Sequence, residues 1–116
     1  MTKIDIGTAD HKKLRLDLPT LVDTRALIQA NSGGGKSWWL RLLVERAARH
    51  VQVIILDPEG EFATLREKVD LALVGQGGEM ATDVRSAGLL ARKLVEVRVP
   101  AIIDLYDLRL DQRRAY

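Results

Sequence analysis

The stretch Ala30-Asn31-Ser32-Gly33-Gly34-Gly35-Lys36-Ser37 separates two differently patterned segments, and its reading decides the fold. On its left, residues 25–30 hold a short apolar run, Ala26, Leu27 and Ile28, with the look of a strand. Such a strand must stop at Asn31, Ser32 and three glycines, where no regular element continues. On its right, Trp39, Leu40, Leu43, Val44 and Ala47 recur at spacings of three and four. That spacing predicts a helix from Lys36 to about Arg49 with one apolar stripe. The expected order is strand, glycine loop, helix.

The loop has a chemistry of its own. A polyphosphate needs several converging N–H donors, and glycines at 33, 34 and 35 let the backbone curl around it with no Cβ in the way. The unpaired N–H groups and positive dipole end of the following helix point into the same space. Ala30-x-x-x-x-Gly35-Lys36-Ser37 fits the P-loop pattern with alanine in place of its first glycine. In that pattern Lys36 reaches the β and γ phosphates of ATP and Ser37 offers its hydroxyl to Mg²⁺, which keeps its other ligands as water and phosphate oxygen. The plainer reading is a flexible turn with a solvated lysine, but a lysine is out of place at a helix amino terminus without an anion.

Working outward, Leu14, Leu16 and Leu18 alternate with Arg15 and Asp17, which predicts a lead-in strand within residues 1–25, closed by Pro19. Val51 to Leu56 is β-branched and nearly all apolar, the pattern of a strand buried on both faces of a parallel sheet. Phe62 to Lys68 suits one or two helical turns, and Val69 to Val74 reads as a further strand stopped by Gly75, Gly77 and Gly78. Thr82 or Asp83 then caps a helix through Leu89, Leu90, Leu94 and Val97. Ala101 to Leu105 is a fourth core strand, and a helix begins at about Asp111 and looks cut short rather than capped. Strands alternating with helices predict an α/β layered domain over residues 26–116, its ligand beyond the carboxyl ends of the strands.

Composition narrows the classes. The 116 residues suit one domain; 47% are hydrophobic and 29% charged, ordinary for a soluble globular chain and against disorder. Eighteen basic against sixteen acidic side chains leave +2, too little to argue for a nucleic-acid surface. Without cysteine there is no disulfide framework and no thiolate metal site. The charges at Lys3, Asp5 and Asp10 have no apolar stretch of signal-peptide length behind them, and no apolar run approaches the roughly eighteen residues a membrane helix needs. A cytoplasmic protein with no membrane partner is expected.

Asp57-Pro58-Glu59-Gly60-Glu61-Phe62 ends the strand after the first helix, at the sheet edge where α/β proteins bind ligands. These carboxylates could position water, hold Mg²⁺ through its hydration shell or accept a proton; a proline-glycine turn with solvated acids is the alternative, and spacing leaves both open. The glycine loop, a helix, then Ile54-Ile55-Leu56-Asp57-Pro58-Glu59-Gly60-Glu61-Phe62 together resemble the HerA branch of the HerA and FtsK superfamily, over roughly residues 20 to 108. The loop is shared by many families, whereas the acidic turn is more specific.

That resemblance implies a P-loop NTPase of RecA-like three-layer form with a mainly parallel sheet. It implies ATP and Mg²⁺ as cofactors, hydrolysis coupled to moving or unwinding DNA, a homo-oligomer of hexameric type and a nuclease partner. The site residues it implies are Asn31, Ser32, Gly33, Gly34, Gly35, Lys36, Ser37 and Trp38 around the nucleotide. Lys36 and Glu61 are its catalytic candidates, with Ser37 on the metal and Asp57 there through water. The family's later acidic strand, sensor residue and arginine finger have no counterpart in these residues, which points to a truncated core. The alternative is a nucleotide-binding or assembly domain with little turnover; a small-molecule phosphotransferase lacks the arginine-rich lid it would need.

Other residues carry less. Asp104 reads as the end of an intermediate strand whose carboxylate caps the next turn. Trp39 shares the face of Leu43 and Ala47 and is expected in the core, whereas Trp38 points elsewhere, toward a subunit contact or a stacked base. His11 and His50 lack ligand spacing, and Arg113 with Arg114 reads as a solvated helix face.

Overall fold

The computed structural model describes residues 2–75, 77–78, 80 and 82–116. The chain forms two compact units that meet in sequence between Val51 and Gln52, and each is described by itself.

In the first unit, β1 (Lys3–Ala9) and β2 (Lys12–Asp17) form an antiparallel hairpin. Asp10 and His11 sit at its tip with φ of 49° and 63°, the sign of φ that a two-residue turn matching the strand twist requires. Ile4 and Ile6 of β1 are buried. Pro19 lies in the first turn of a short helix, α1 (Leu18–Asp23), where its missing N–H has no intrahelical role. The proline therefore starts a helix as well as ending the strand. Helix α2 (Lys36–Ala47) follows the glycine loop, and its Arg46 Nη1 donates to the Asp5 carbonyl of β1 at 3.3 Å.

Two expectations fail in this unit. Residues 25–31 form no strand. A strand exists only through a ladder partner, no strand among the described residues pairs with this run, and Leu27 is 83% exposed. The stripe of α2 is also shallower than its spacing predicts. Val44 and Ala47 are buried, while Trp39, Leu40 and Leu43 are only half-buried.

The second unit is built on a parallel sheet ordered β3-β5-β4, with β3 at Ile54–Asp57, β4 at Ala72–Val74 and β5 at Ala101–Asp104. The register sets Asp57 against Asp104 at the carboxyl edge. Central β5 has Ala101, Ile102 and Ile103 buried, so the later strand, not the earlier one, is the doubly covered one. Among the described residues β3 is an edge strand, paired with β5 alone, and Leu56 is 63% exposed. Helix α3 (Ala87–Val97) lays Leu90 and Leu94 on Val74, Ala101, Ile103 and Leu105, the contact its apolar stripe predicts. The Asp83 carboxylate accepts from the Arg85 N–H at 3.0 Å in the short 3-10 turn before it. Gln52 Nε2 closes the other end by donating to the carbonyls of Leu94 (2.8 Å) and Val99 (3.0 Å).

A last helix, α4 (Leu110–Ala115), carries a further correction. Arg113 is not a solvated residue: Nε donates to the carbonyls of Leu105 (3.0 Å) and Leu108 (2.9 Å), and Nη2 to that of Tyr106 (2.9 Å). These carbonyls lie in the bend after β5, where no ladder takes them, and one planar guanidinium satisfies all three. Among the described residues no helix is long and apolar enough to cross a membrane.

Candidate functional site

The glycine loop has the backbone its composition predicts. Gly33 and Gly35 take φ of 82° and 84°, conformations a side chain would strain. Gly34 donates its N–H to the Asn31 carbonyl at 2.8 Å. A Cβ on Gly34 would meet the Ala30 Cβ and the Asn31 carbonyl oxygen, each at 2.9 Å, so that position needs the space as well as the turn. Gly35 is also the N-cap of α2 and supplies no side-chain acceptor to the first turn. The helix opens directly onto the loop, as an anion site demands.

Around this backbone lie two hollows. One of about 410 Å³ is lined by Asn31 through Trp38 without a gap. The other, about 700 Å³, is lined by Ile28, Gln29, Ala30, Asn31 and Lys36. Lys36 borders both, and its Nζ donates to the Ala30 carbonyl at 2.7 Å. The ammonium is thereby folded back across the loop, held by a neutral acceptor that a phosphate oxygen would outcompete, since ionised acceptors make roughly twice as strong a bond. The structure thus brings together all eight residues read as the nucleotide contacts. Beside them the second hollow is lined by Ile28 and Gln29, which the sequence reading did not single out, and the Ala30 carbonyl holds Lys36. The first two carry no motif signal; the third is a backbone group, which no side-chain pattern reports.

The donor set fits the ligands the loop implies. Backbone amides at a helix start and one lysine suit a polyphosphate. Among the described residues no group of three or more acidic or histidine side chains could hold a metal by itself. Magnesium bound mainly through water and phosphate needs only a contact such as the Ser37 hydroxyl.

The acidic turn is built inward. Asp57 is 1% exposed; its Oδ1 accepts from the Glu61 N–H at 3.2 Å and its Oδ2 from the Phe62 N–H at 3.0 Å. Two N–H groups are what keep a buried carboxylate satisfied in the absence of a cation. The same bonds set the turn, with Phe62 buried behind it and the Glu59 and Glu61 residues exposed. Asp104, its neighbour across the ladder, accepts from the Tyr106 N–H at 2.9 Å through Oδ1, the turn-capping role its place at a strand end predicts.

Two aromatic positions complete the description. Trp38 is 77% exposed, with the guanidinium of Arg41 lying 5.8 Å from its ring centroid. Tyr116 packs against the α3 core, and its hydroxyl has no hydrogen-bond partner among the described residues. Burial, then the charge of Asp83, push its phenol above the usual tyrosine range.

Neither a comparison with curated proteins nor one with solved structures gave a match. The family model described as the central domain of the helicase HerA matches residues 4–115, a span that takes in the hairpin, the glycine loop, the acidic turn and α4. With nearly its whole length aligned to that model, the chain belongs to the HerA helicase central-domain family.

Proposed function

We propose that this chain is the ATP-binding module of a HerA-like ATPase of RecA-like architecture, in which hydrolysis of Mg-ATP drives translocation or unwinding of DNA. The observation that carries the proposal is the loop itself. A glycine-built anion cradle at a helix start, with Lys36 across it, lies inside a chain of the HerA central-domain family.

In this reading the amides of Gly33, Gly35, Lys36 and Ser37 donate to the phosphates, while that of Gly34 holds the turn through the Asn31 carbonyl. Lys36 exchanges the Ala30 carbonyl for phosphate oxygens and neutralises charge on the β and γ groups. The Ser37 hydroxyl would hold Mg²⁺, which when bound would neutralise charge on the transferred phosphoryl group. Glu61 orients the attacking water, and Asp57 fixes the turn that presents Glu61, with a contact to the metal's hydration shell at most. DNA, a hexamer of like subunits, a nuclease partner and a cytoplasmic setting complete the proposal.

A second reading is favoured by one observation. Asp57, the buried carboxylate, already accepts two backbone N–H groups, so its geometry serves a turn as readily as a metal. On that reading the chain binds nucleotide, or assembles upon it, with little turnover.

Melting curves with and without Mg-ATP test the binding step. Saturation at one hundred times Kd adds about 2.7 kcal/mol, a shift of roughly ten degrees or so for a chain of this size. An unchanged melting temperature refutes the cradle. Phosphate release stimulated by DNA supports the motor; release indifferent to DNA supports the second reading.

A further inference from the structure

We propose that Trp38 is the base-stacking platform of this nucleotide site, so that the cradle selects a nucleoside triphosphate over a bare triphosphate. The inference rests on the phosphate-cradle reading and adds to it the part of the ligand that the glycine loop does not recognise.

Four observations carry it. Trp38 closes the same hollow of about 410 Å³ whose other walls are Asn31 to Ser37. A ligand whose phosphates lie among the amides of that loop must extend its nucleoside past them, and Trp38 supplies the large π-face of this lining. Its indole is 77% exposed, although so large an apolar surface gains free energy when something covers it. The adjacent Trp39 is half-buried, so packing on the fold falls to Trp39 and not to Trp38. Arg41, three residues on and hence on the same side of α2, sets its guanidinium 5.8 Å from the Trp38 centroid. A cation over one face restricts the ring and leaves the rest of the indole for a second flat partner. Arg41 and Trp38 together form a sandwich with one side taken.

The discriminating measurement is calorimetric titration of the full chain with Mg-ATP and, separately, with inorganic tripolyphosphate. Trp38→Ala is expected to weaken Mg-ATP roughly ten-fold, the effect of losing one aromatic stack, and to leave tripolyphosphate within about two-fold. Trp38→Phe keeps a π-face and should recover most of the ATP affinity. Lys36→Ala should weaken both ligands, which separates the two claims. If the unsubstituted chain binds tripolyphosphate as tightly as ATP, the cradle stands and the platform is refuted. Equal loss of both ligands in Trp38→Ala, or loss of neither, also refutes it. So does a Trp38→Ala chain that changes only its subunit association or its affinity for oligo-dT. If neither ligand binds the unsubstituted chain, the cradle fails and the platform fails with it.

Discussion

The glycine loop and the acidic turn are both polar bends next to regular elements, yet they are built in opposite senses. Residues 29–35 are exposed throughout, and Lys36 is held by the neutral Ala30 carbonyl. At the other bend, Asp57 is buried, and both its oxygens are engaged by N–H groups of its own turn. One bend lies exposed and tethers its cation through a neutral carbonyl; the other turns the charge of Asp57 inward, with Glu59 and Glu61 exposed. The lesson is that a charged residue in a bend reveals its role through what already satisfies it. A loosely satisfied group is available to a ligand, whereas a fully satisfied buried one holds structure.

That contrast predicts opposite outcomes for two truncations. Asp57→Ala removes the acceptor for two N–H groups from a buried position, which should lower stability by about 3 kcal/mol. A urea titration reads this as a lower midpoint at unchanged slope, and a shift under about 1 kcal/mol would break the comparison. Lys36→Ala should forfeit the whole nucleotide-induced gain of about 2.7 kcal/mol while costing the free chain no more than the one hydrogen bond, about 1 kcal/mol. Melting curves with and without Mg-ATP measure both quantities, and a Lys36→Ala chain that keeps its shift would show that the loop does not hold the ligand.

Two smaller effects sharpen the same distinction within the second unit. Arg113→Ala leaves the carbonyls of Leu105, Tyr106 and Leu108 without their shared donor, a loss of about 2 kcal/mol in denaturant. Nucleotide affinity should be unchanged, since Arg113 is satisfied by the fold. Tyr116 gives the smallest effect. Its phenol titrates above the ordinary value when folded, so the folded state holds that proton more tightly than the unfolded one. The resulting contribution is intact below the unfolded pKa of about 10 and is lost as pH rises from there through the raised folded value. Tyr116→Phe should flatten the alkaline fall in midpoint and change neutral stability by less than about 1 kcal/mol, because the hydroxyl has no partner among the described residues to lose.

Legibility in the sequence followed the range of the forces involved. Residues 101–105 read as a core strand because Ala101, Ile102 and Ile103 are apolar in succession, and Ala101–Asp104 is the central strand. The stripe of α3 and the turn-capping role of Asp104 were equally plain, since spacing and local hydrogen bonds decide them. The hairpin partner β1 was missed although Ile4 and Ile6 alternate with Lys3 and Asp5, because Asp10-His11 lacks the glycine that announces a tight turn. Val51 to Leu56 was read as buried on both faces, but sheet position is not written in a strand's own residues, and β3 lies at an edge. Residues 25–30 had a strand's composition without a ladder partner to make it one.

The glycine loop, its lysine and serine, and the membership of a HerA-type family follow from the sequence by itself, because backbone freedom at three glycines and the chemistry of an ammonium beside a helix start are local properties. Only the tertiary structure decided that Asp57 is consumed by its own turn, that Arg113 clasps three carbonyls, and that Trp39 packs only in part. Each of these depends on which groups from distant or folded-back segments meet, and pairing of that kind is set by the whole chain's burial and hydrogen bonding rather than by any one stretch of it.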